Sequence, residues 1–487
     1  MQRDVRLLTG GGGGGGGGGR GNLPTILVAT PARLLEHLEG NSPLNKSYKS
    51  SSNYQQRNKN KFADVVAETK IVVLDETDRL LQKSNQYDTQ RILTFMARAE
   101  KRQTLLFSAT FPRAVRRLVS NSSIMNKKKK MTDEGRDGND DDDNFLEVDC
   151  IGNGRDRLGD TASSLDTRST DTTPNTEVEL SSVSINRRRV EESYVVLENM
   201  SQFIPSLLTI LRREQQRDSQ NYKILVFFPA GRLVRFLFQF FTIGGIEDKN
   251  NIWEIHSRMS QSSRTRASNA FRNARKGILF SSDVSARGLD YPDISLVLQM
   301  GAPSSDQDYI HRIGRTGRAG QDGRGLLVLL PFEKQQKEQR WQKGQKRRPG
   351  QGGYRNDGNI KEDRQLTLWL GAQKEDEKED HEKVSSSETF YQQCQDDLES
   401  TRLKIRSGHV VLTPSAEAAY KTFLAHYIAI ISPPNRKKNN NDNNKGKTEN
   451  QLQSSKILAY GEDFARGTGL ANIPELDEEF LSKLGLP

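Results

Sequence analysis

The chain is 487 residues long, enough for two or three domains, yet only 33% of it is hydrophobic and its mean hydropathy is -0.76, so a good part must be solvated insert or linker. Its 73 Lys and Arg against 63 Asp and Glu leave a formal charge of +10, which tilts the balance toward a polyanionic partner without choosing one. Two cysteines (Cys150 and Cys394) exclude a disulfide framework and a four-thiolate metal site, the 6 histidines have no metal-ligand spacing, and no apolar run reaches the roughly 18–20 residues that cross a bilayer.

Short aliphatic runs alternate with longer amphipathic segments, the pattern of βαβ units around a parallel sheet. Gly10–Gly19 reads as a flexible spacer, because a glycine run cannot hold one conformation cheaply. Strand Ile26–Ala29 runs into Thr30-Pro31-Ala32-Arg33, where Pro31 disfavours helical geometry at Thr30 and the backbone N–H groups with one guanidinium can face a phosphate. Asn41–Lys61 is a polar insert. Strand Ile71–Leu74 leads into Asp75-Glu76-Thr77-Asp78. At the carboxyl end of a parallel strand, one carboxylate can hold Mg²⁺ directly or through water while its neighbour orients or deprotonates a water. A helix over Gln86–Ala99 and strand Leu105–Phe107 follow, then Ser108-Ala109-Thr110, whose small hydroxyls can couple neighbouring loops. Helix Arg113–Val119 closes a first α/β domain over residues 1–125.

Residues 126–189 begin with Lys127–Lys130, turn acidic at Asp140–Asp143 and stay Ser/Thr/Asp-rich, a composition expected to be disordered. A second α/β domain over 190–333 is predicted from strands Ile224–Phe228, Trp253–Ile255, Gly277–Phe280, Leu296–Gln299 and Gly325–Leu330, with helices Phe203–Arg213, Arg232–Phe241 and Gln261–Asn273. Gln261 and Arg264 lie three apart at a helix start and share a face. Tyr309–Gly320 reads YIHRIGRTGRAG, with Arg312, Arg315 and Arg318 at three-residue spacing beside Gly314 and Gly317. Three such guanidinium forks, pointing to one side, match a γ-phosphate, where charge develops in phosphoryl transfer; a solvated basic helix would use lysines and no glycines. Residues 334–384 are a low-complexity basic and acidic insert. Residues 385–487 read as a small, mostly helical C-terminal extension with a helix at Tyr420–Ile431, a short terminal element around Phe480, Leu484 and Leu486, and a disordered interruption at 433–451.

As a set, these motifs resemble the DEAD-box RNA helicases, over roughly residues 5–125 and 190–332. The wording of Ile278–Pro292 (ILFSSDVSARGLDYP), with a weaker Ala419-Tyr420…Gly467…Gly469-Leu470 pattern, resembles the branch of fungal mitochondrial splicing helicases and their plant relatives. The resemblance implies an α/β fold of two RecA-like parallel-sheet domains, the first incomplete. It also implies ATP and Mg²⁺ as cofactors, backbone-directed and largely sequence-independent RNA binding, ribonucleoprotein partners, no membrane, a monomer, and a mitochondrial or nucleolar/nuclear location. Carried onto this chain, Asp75 and Glu76 would bind Mg²⁺ and activate water, and Asp78 would close the acidic box. Ser108 and Thr110 would couple nucleotide state to RNA and domain closure, and His311 and Arg312 would tie the second domain to those loops. Arg315 and Arg318 match arginine fingers offered across a cleft, and Asp290 would contact the ribose. Gly10, Gly11, Thr30, Pro31, Ala32, Arg33, Gln261, Arg264, Ser282 and Arg287 match the RNA track, meeting sugar-phosphate rather than base edges.

The family's Gly-rich Lys/Thr phosphate loop is not found in the 487 residues, and only nine residues precede Gly10. The N-terminus is therefore read as truncated, and targeting information is not expected within the chain. Three smaller departures are Thr77 for alanine, Ala32 for glycine and Gly231 for threonine; Thr77 should be mild if its hydroxyl finds a partner, and Ala32 if its φ is negative. The expected function is an ATP-dependent RNA helicase that unwinds or remodels RNA and ribonucleoprotein. The alternative is an ATP-independent RNA-binding remnant, in which case the chain shows no RNA-stimulated ATPase above a Glu76→Gln control.

Overall fold

The computed structural model describes residues 26–39, 61–82, 85–108, 190–283, 290–318, 321–333, 361–370, 381–431 and 445–483. The chain divides into two compact units, residues 1–148 with 349–354 and residues 149–348 with 355–487.

In the first unit, α1 (Pro31–Leu38), α2 (Lys61–Ala67) and α4 (Gln86–Phe95) accompany β1 (Ile71–Leu74), the short turn α3 (Thr77–Leu80) and β2 (Gln103–Leu106). The two strands run parallel, Ile71 opposite Gln103 and Leu74 opposite Leu106. The pleat sends alternate side chains to opposite faces. Val72 and Leu74 are buried with Leu81 and Leu93, while Ile71 and Val73 stay more than half exposed. Leu35, Leu38, Val66 and Ile92 form a second small cluster between the helices.

The second unit is a seven-stranded, all-parallel sheet in the order β5-β6-β4-β7-β8-β3-β9, where β3 is Val190–Val196, β4 Lys223–Phe227, β5 Ile252–Ile255, β6 Gly277–Ser281, β7 Leu296–Met300, β8 Gly323–Leu329 and β9 Lys361–Glu362. Its central strands are apolar on both faces, as a sheet covered on both sides requires. Ile224, Val226, Ile278, Phe280, Leu296 and Leu298 face one cluster, and Leu225, Phe227, Leu279 and Val297 face the other. The second cluster lies under α7 (Gln261–Asn273) and the end of the motif helix α8 (Asp306–Ile313), through Phe271 and Ile313, with Tyr291 among them. The first lies under α5 (Phe203–Arg217) and α6 (Gly231–Ile243) and is continued by α9 (Arg364–Trp369), α10 (His381–Arg406), α11 (Leu412–Ile431) and α12 (Lys445–Thr468), before a last short α13 (Glu478–Lys483). The extension is thus built into the second unit's main core: α10 packs on α5, and α11 on α6.

Several sequence expectations are corrected. Ile26–Ala29 is not a strand: it is exposed, with Ile26 80% and Val28 91% accessible, because no described strand lies alongside to form a ladder. Thr30–Arg33 is not a loop. Thr30, extended at φ -81 and ψ 148, caps α1, and Pro31 sits at the first helical position, where its missing N–H costs nothing. The helix expected to reach Ala99 ends at Phe95. Residues 445–451, expected within a disordered segment, belong to α12, where they continue a helix anchored by buried Ile457, Phe464 and Ala465. Strand β3 and helices α1 and α10 were not anticipated. Gly10, Gly11, Thr110, Arg287, the 113–119 helix, residues 126–189, Leu484 and Leu486 lie outside the described residues.

Candidate nucleotide and RNA site

In the first unit the acidic box stands at the carboxyl end of β1. Glu76 adopts the left-handed conformation (φ 50, ψ 50), uncommon for a residue with a side chain, and its amide donates to Asp75 Oδ1 at 2.9 Å. The strain is held by Thr77, fully buried, whose amide donates to the Phe107 carbonyl at 3.0 Å and whose hydroxyl donates to the carbonyls of Leu74 and Phe107 at 2.8 and 3.1 Å. The threonine in place of alanine is therefore satisfied twice. Asp78 is buried, and its amide donates to Ser108 Oγ at 3.3 Å, joining the two strand ends. Asp75 and Glu76 suit Mg²⁺, which takes one or two protein carboxylates and leaves its other positions to water and substrate phosphates. Among the described residues no group of three His, Cys, Asp or Glu forms an all-protein cage. Arg33 on α1 pairs with Glu36 at 2.7 Å, and Ala32 has an ordinary negative φ, since Glu76 and Asp293 are the only described non-glycine residues with positive φ.

In the second unit the three motif arginines do not share one side. α8 ends at Ile313, and Gly317, at φ +66, turns the chain, so the helical spacing rule stops applying after Arg312. Arg312 is 2% exposed: its Nε and Nη2 both lie 2.7 Å from Asp283 Oδ1, Nη1 donates to Gln299 Oε1 at 3.4 Å, and its guanidinium lies 5.3 Å from the Phe227 ring centre. Arg315 and Arg318 fold back on the helix end, their Nε groups donating to the carbonyls of His311 and Gly314 at 3.1 and 2.7 Å. Arg318 also pairs with Asp290 at 2.6 Å. That pair is exposed and worth little to stability. His311 is buried beside Arg312.

The expected RNA-track residues fall at the carboxyl ends of β5 and β6. Ser260 caps α7, accepting from the Ser263 amide at 3.2 Å; Gln261 and Arg264 follow in its first turn, and the Arg264 Nε is buried without a partner among the described residues. Ser282 is buried, its amide donating to Ile255 O at 3.2 Å. Beside them lies a cavity of about 460 Å³ walled by Arg232, Arg235, His256, Arg258 and Ser263, with Ser415 of α11. Glu254 opposes this charge, pairing with Arg235 at 2.5 Å. Sequence reasoning missed these three arginines because they lie on two separate strand-end segments that only the sheet order brings together. The signal available was the basic wording after each strand, RLVR and HSR.

Helix α11 also reaches the motif arginine. Burial holds the His426 imidazole down to about 4, with Asp283 opposing and Arg312 adding to the shift. The native state therefore excludes a proton that the unfolded chain accepts below about 6.5. Stability is fully expressed above that value and is expected to fall as the pH drops from about 6.5 to about 4, by up to about 3 kcal/mol. Urea midpoints across that range, compared with His426→Gln, check this: the variant should lose that part of the slope.

Among the described residues no helix is long and apolar enough to cross a membrane. The DEAD/DEAH box helicase family matches residues 19–118, and the helicase conserved C-terminal domain matches residues 203–320. DEAD-box ATP-dependent RNA helicase 26 of Arabidopsis thaliana is 35% identical over 290 residues, 60% of this chain and 26% of that protein. DEAD-box ATP-dependent RNA helicase 31 of Oryza sativa subsp. japonica is 33% identical over 313 residues, 64% of this chain and 44% of that protein. The chain thus spans about a quarter to under half the length of these curated relatives. A solved structure of Mss116p bound to ssRNA and AMP-PNP aligns with 95% of this chain and 68% of its own, at TM-score 0.56 and 22% identity, a likeness of fold. The chain thus carries, in order and each on a parallel-sheet unit, a match to the DEAD/DEAH box helicase family and a match to the helicase conserved C-terminal domain.

Proposed function

We propose that the chain acts in ATP-dependent RNA remodelling, the second unit binding RNA backbone and contributing arginines to the nucleotide. The observation that carries the reading is the second unit's complete parallel sheet, at whose carboxyl edge Asp283 and Ser282 stand with the RNA-side arginines, while Asp290, Arg315 and Arg318 cluster at the end of the motif helix. In this mechanism Glu76 holds a proton-accepting carboxylate toward an attacking water, and Asp75 would hold Mg²⁺. The metal, when bound, neutralises charge on the transferring phosphoryl oxygens. Arg315 and Arg318 would leave their helix-end carbonyls and Asp290 to meet phosphate, and Asp290 would be freed for the ribose. Asp78 and Ser108 carry the state of the acidic box to the neighbouring strand end. Thr30, Arg33, Gln261, Arg264 and Ser282 would contact RNA backbone, joined by Arg232, Arg235 and Arg258.

RNA binding through phosphates is salt-dependent. Replacing Arg232 or Arg258 by glutamine is expected to weaken binding of single-stranded RNA about equally across sequences and to reduce the slope of log K against log salt by about 1 each. Filter binding at several salt concentrations checks it; an unchanged slope would remove these residues from the track.

A second reading is RNA binding without hydrolysis by the 487 residues, in which no Gly-rich Lys/Thr loop is found. The two readings part on RNA-stimulated ATP turnover by the full chain. The first expects turnover that Glu76→Gln lowers by at least about 100-fold. The second expects turnover indistinguishable from that variant, with RNA retention intact.

A further inference from the structure

The second unit has a cavity that none of these motifs uses. It lies where the turn Met200–Gln202 meets α10 and the end of α12, has a volume of about 390 Å³, and is walled by Arg402, Arg406 and Arg466 with Gln202, Gln395 and Tyr391. That volume is within the roughly 300–1,000 Å³ of small-ligand sites. Among the described residues no carboxylate belongs to its wall. The nearby acids pair with these arginines: Glu399 is 3.7 Å from Arg402 and 3.0 Å from Arg406, and Glu462 is 3.7 Å from Arg466. Asp463 is occupied by the amides of Met200 and Ser201, at 2.6 and 2.9 Å.

Arg402 anchors the wall. Its side chain is 15% exposed, and its Nε donates to the Gly467 carbonyl at 3.1 Å, which fixes the guanidinium plane. Gly469, at φ +95, lets α12 end against α10 so closely that a Cβ there would lie 2.8 Å from the Arg402 backbone. Burial lowers the Arg402 pKa, with Glu399 opposing and Arg406 adding to the shift. A fixed fork, two further guanidiniums and a wall of neutral amides without carboxylates form a pre-organised receptor for a multiply charged oxyanion. The geometry points to a phosphate site here, in which a phosphomonoester or phosphodiester group is held by Arg402, Arg406 and Arg466. The site is independent of the ATP chemistry above. Its phosphate comes either from RNA backbone passing over the extension or from a small phosphorylated molecule.

The test titrates the full chain with pyrophosphate by calorimetry and compares Arg406→Gln/Arg466→Gln. Both side chains are about half exposed or more, so the fold should survive, as far-UV circular dichroism and melting will show. Pyrophosphate affinity is expected to fall by at least about tenfold. Arg402→Lys, which keeps the charge and loses the fork, should lower it as well. A short oligouridylate is titrated in parallel. If its affinity falls too and pyrophosphate displaces it, the phosphate is that of RNA; if RNA affinity is unchanged, the ligand is a small phosphorylated molecule. Pyrophosphate that binds the parent and both variants alike, or binds none of them, overturns the site.

Discussion

Arg312→Ala is expected to lower the stability of the second unit by about 2–4 kcal/mol and to leave RNA-stimulated turnover, where present, undetectable. The side chain is one of the largest fully buried in the molecule. Its removal vacates the space over Phe227 and leaves Gln299, fully buried with its Nε2 already unpartnered among the described residues, without the Arg312 donor to its Oε1. Asp283 is 45% exposed and can turn to water, which keeps the loss below that of a wholly buried pair. Arg312→Lys should recover only part of it, because an ammonium cannot reach Asp283 and Gln299 at once in the plane of a fork. Urea unfolding of both variants and of Asp283→Asn decides the matter. A cost below about 1 kcal/mol for the alanine variant would mean that the guanidinium is a surface group and that its link between the two motif segments is incidental.

The Arg312 environment shows why some of the molecule was legible in sequence and some was not. Strands β4, β6 and β7 were readable because continuous aliphatic runs such as Lys223–Phe227 suit a sheet covered on both faces, and α7 because its cap and period agree. Arg312, Arg315 and Arg318 were visible as a set, but their division into one buried and two surface groups depends on where α8 stops and Gly317 turns, which spacing alone does not encode. The Asp78–Ser108 contact was suggested by two strand ends, and the parallel register of β1 and β2 makes it. Ile26–Ala29 misled because aliphatic content marks a capacity for strand, whereas a strand needs a neighbour. Strand β3, VEESYVV, was hidden by its two glutamates: Glu192 accepts from the Tyr309 hydroxyl at 2.7 Å, so a charge that argues against burial is a tertiary contact. The arginines around the cavity beside α7 and those between α10 and α12 come from distant segments, and no local pattern assembles them.

Phe464→Ala is expected to destabilise the second unit as a whole by about 3–5 kcal/mol, with one cooperative transition rather than two. Phe464 is 1% exposed, stacks on Phe423 with ring centres 5.0 Å apart and planes within 6°, and meets Phe203 of α5 edge-on at 5.7 Å. Such aromatic pairs add to the area they bury, and Phe203 belongs to the same core cluster as the sheet's own Val226 and Leu298. The neighbouring Asp463 ties the same helix to the amides of Met200 and Ser201, so α12 both packs on and caps the turn that follows β3. If α10–α12 were an appendage, the variant would melt the helices first and leave the sheet's transition where it was. Hydrogen exchange separates the cases, since an integral extension requires the amides of β3, β4 and α5 to lose protection together with those of α11. It follows that removing residues 381–487 is not a clean test of RNA tethering by the extension. The truncated unit would expose Phe203, Leu207, Phe236 and Phe240 to water, and a lost RNA affinity would report lost fold. Point changes at exposed arginines, which leave that core intact, are the measurements that separate the two.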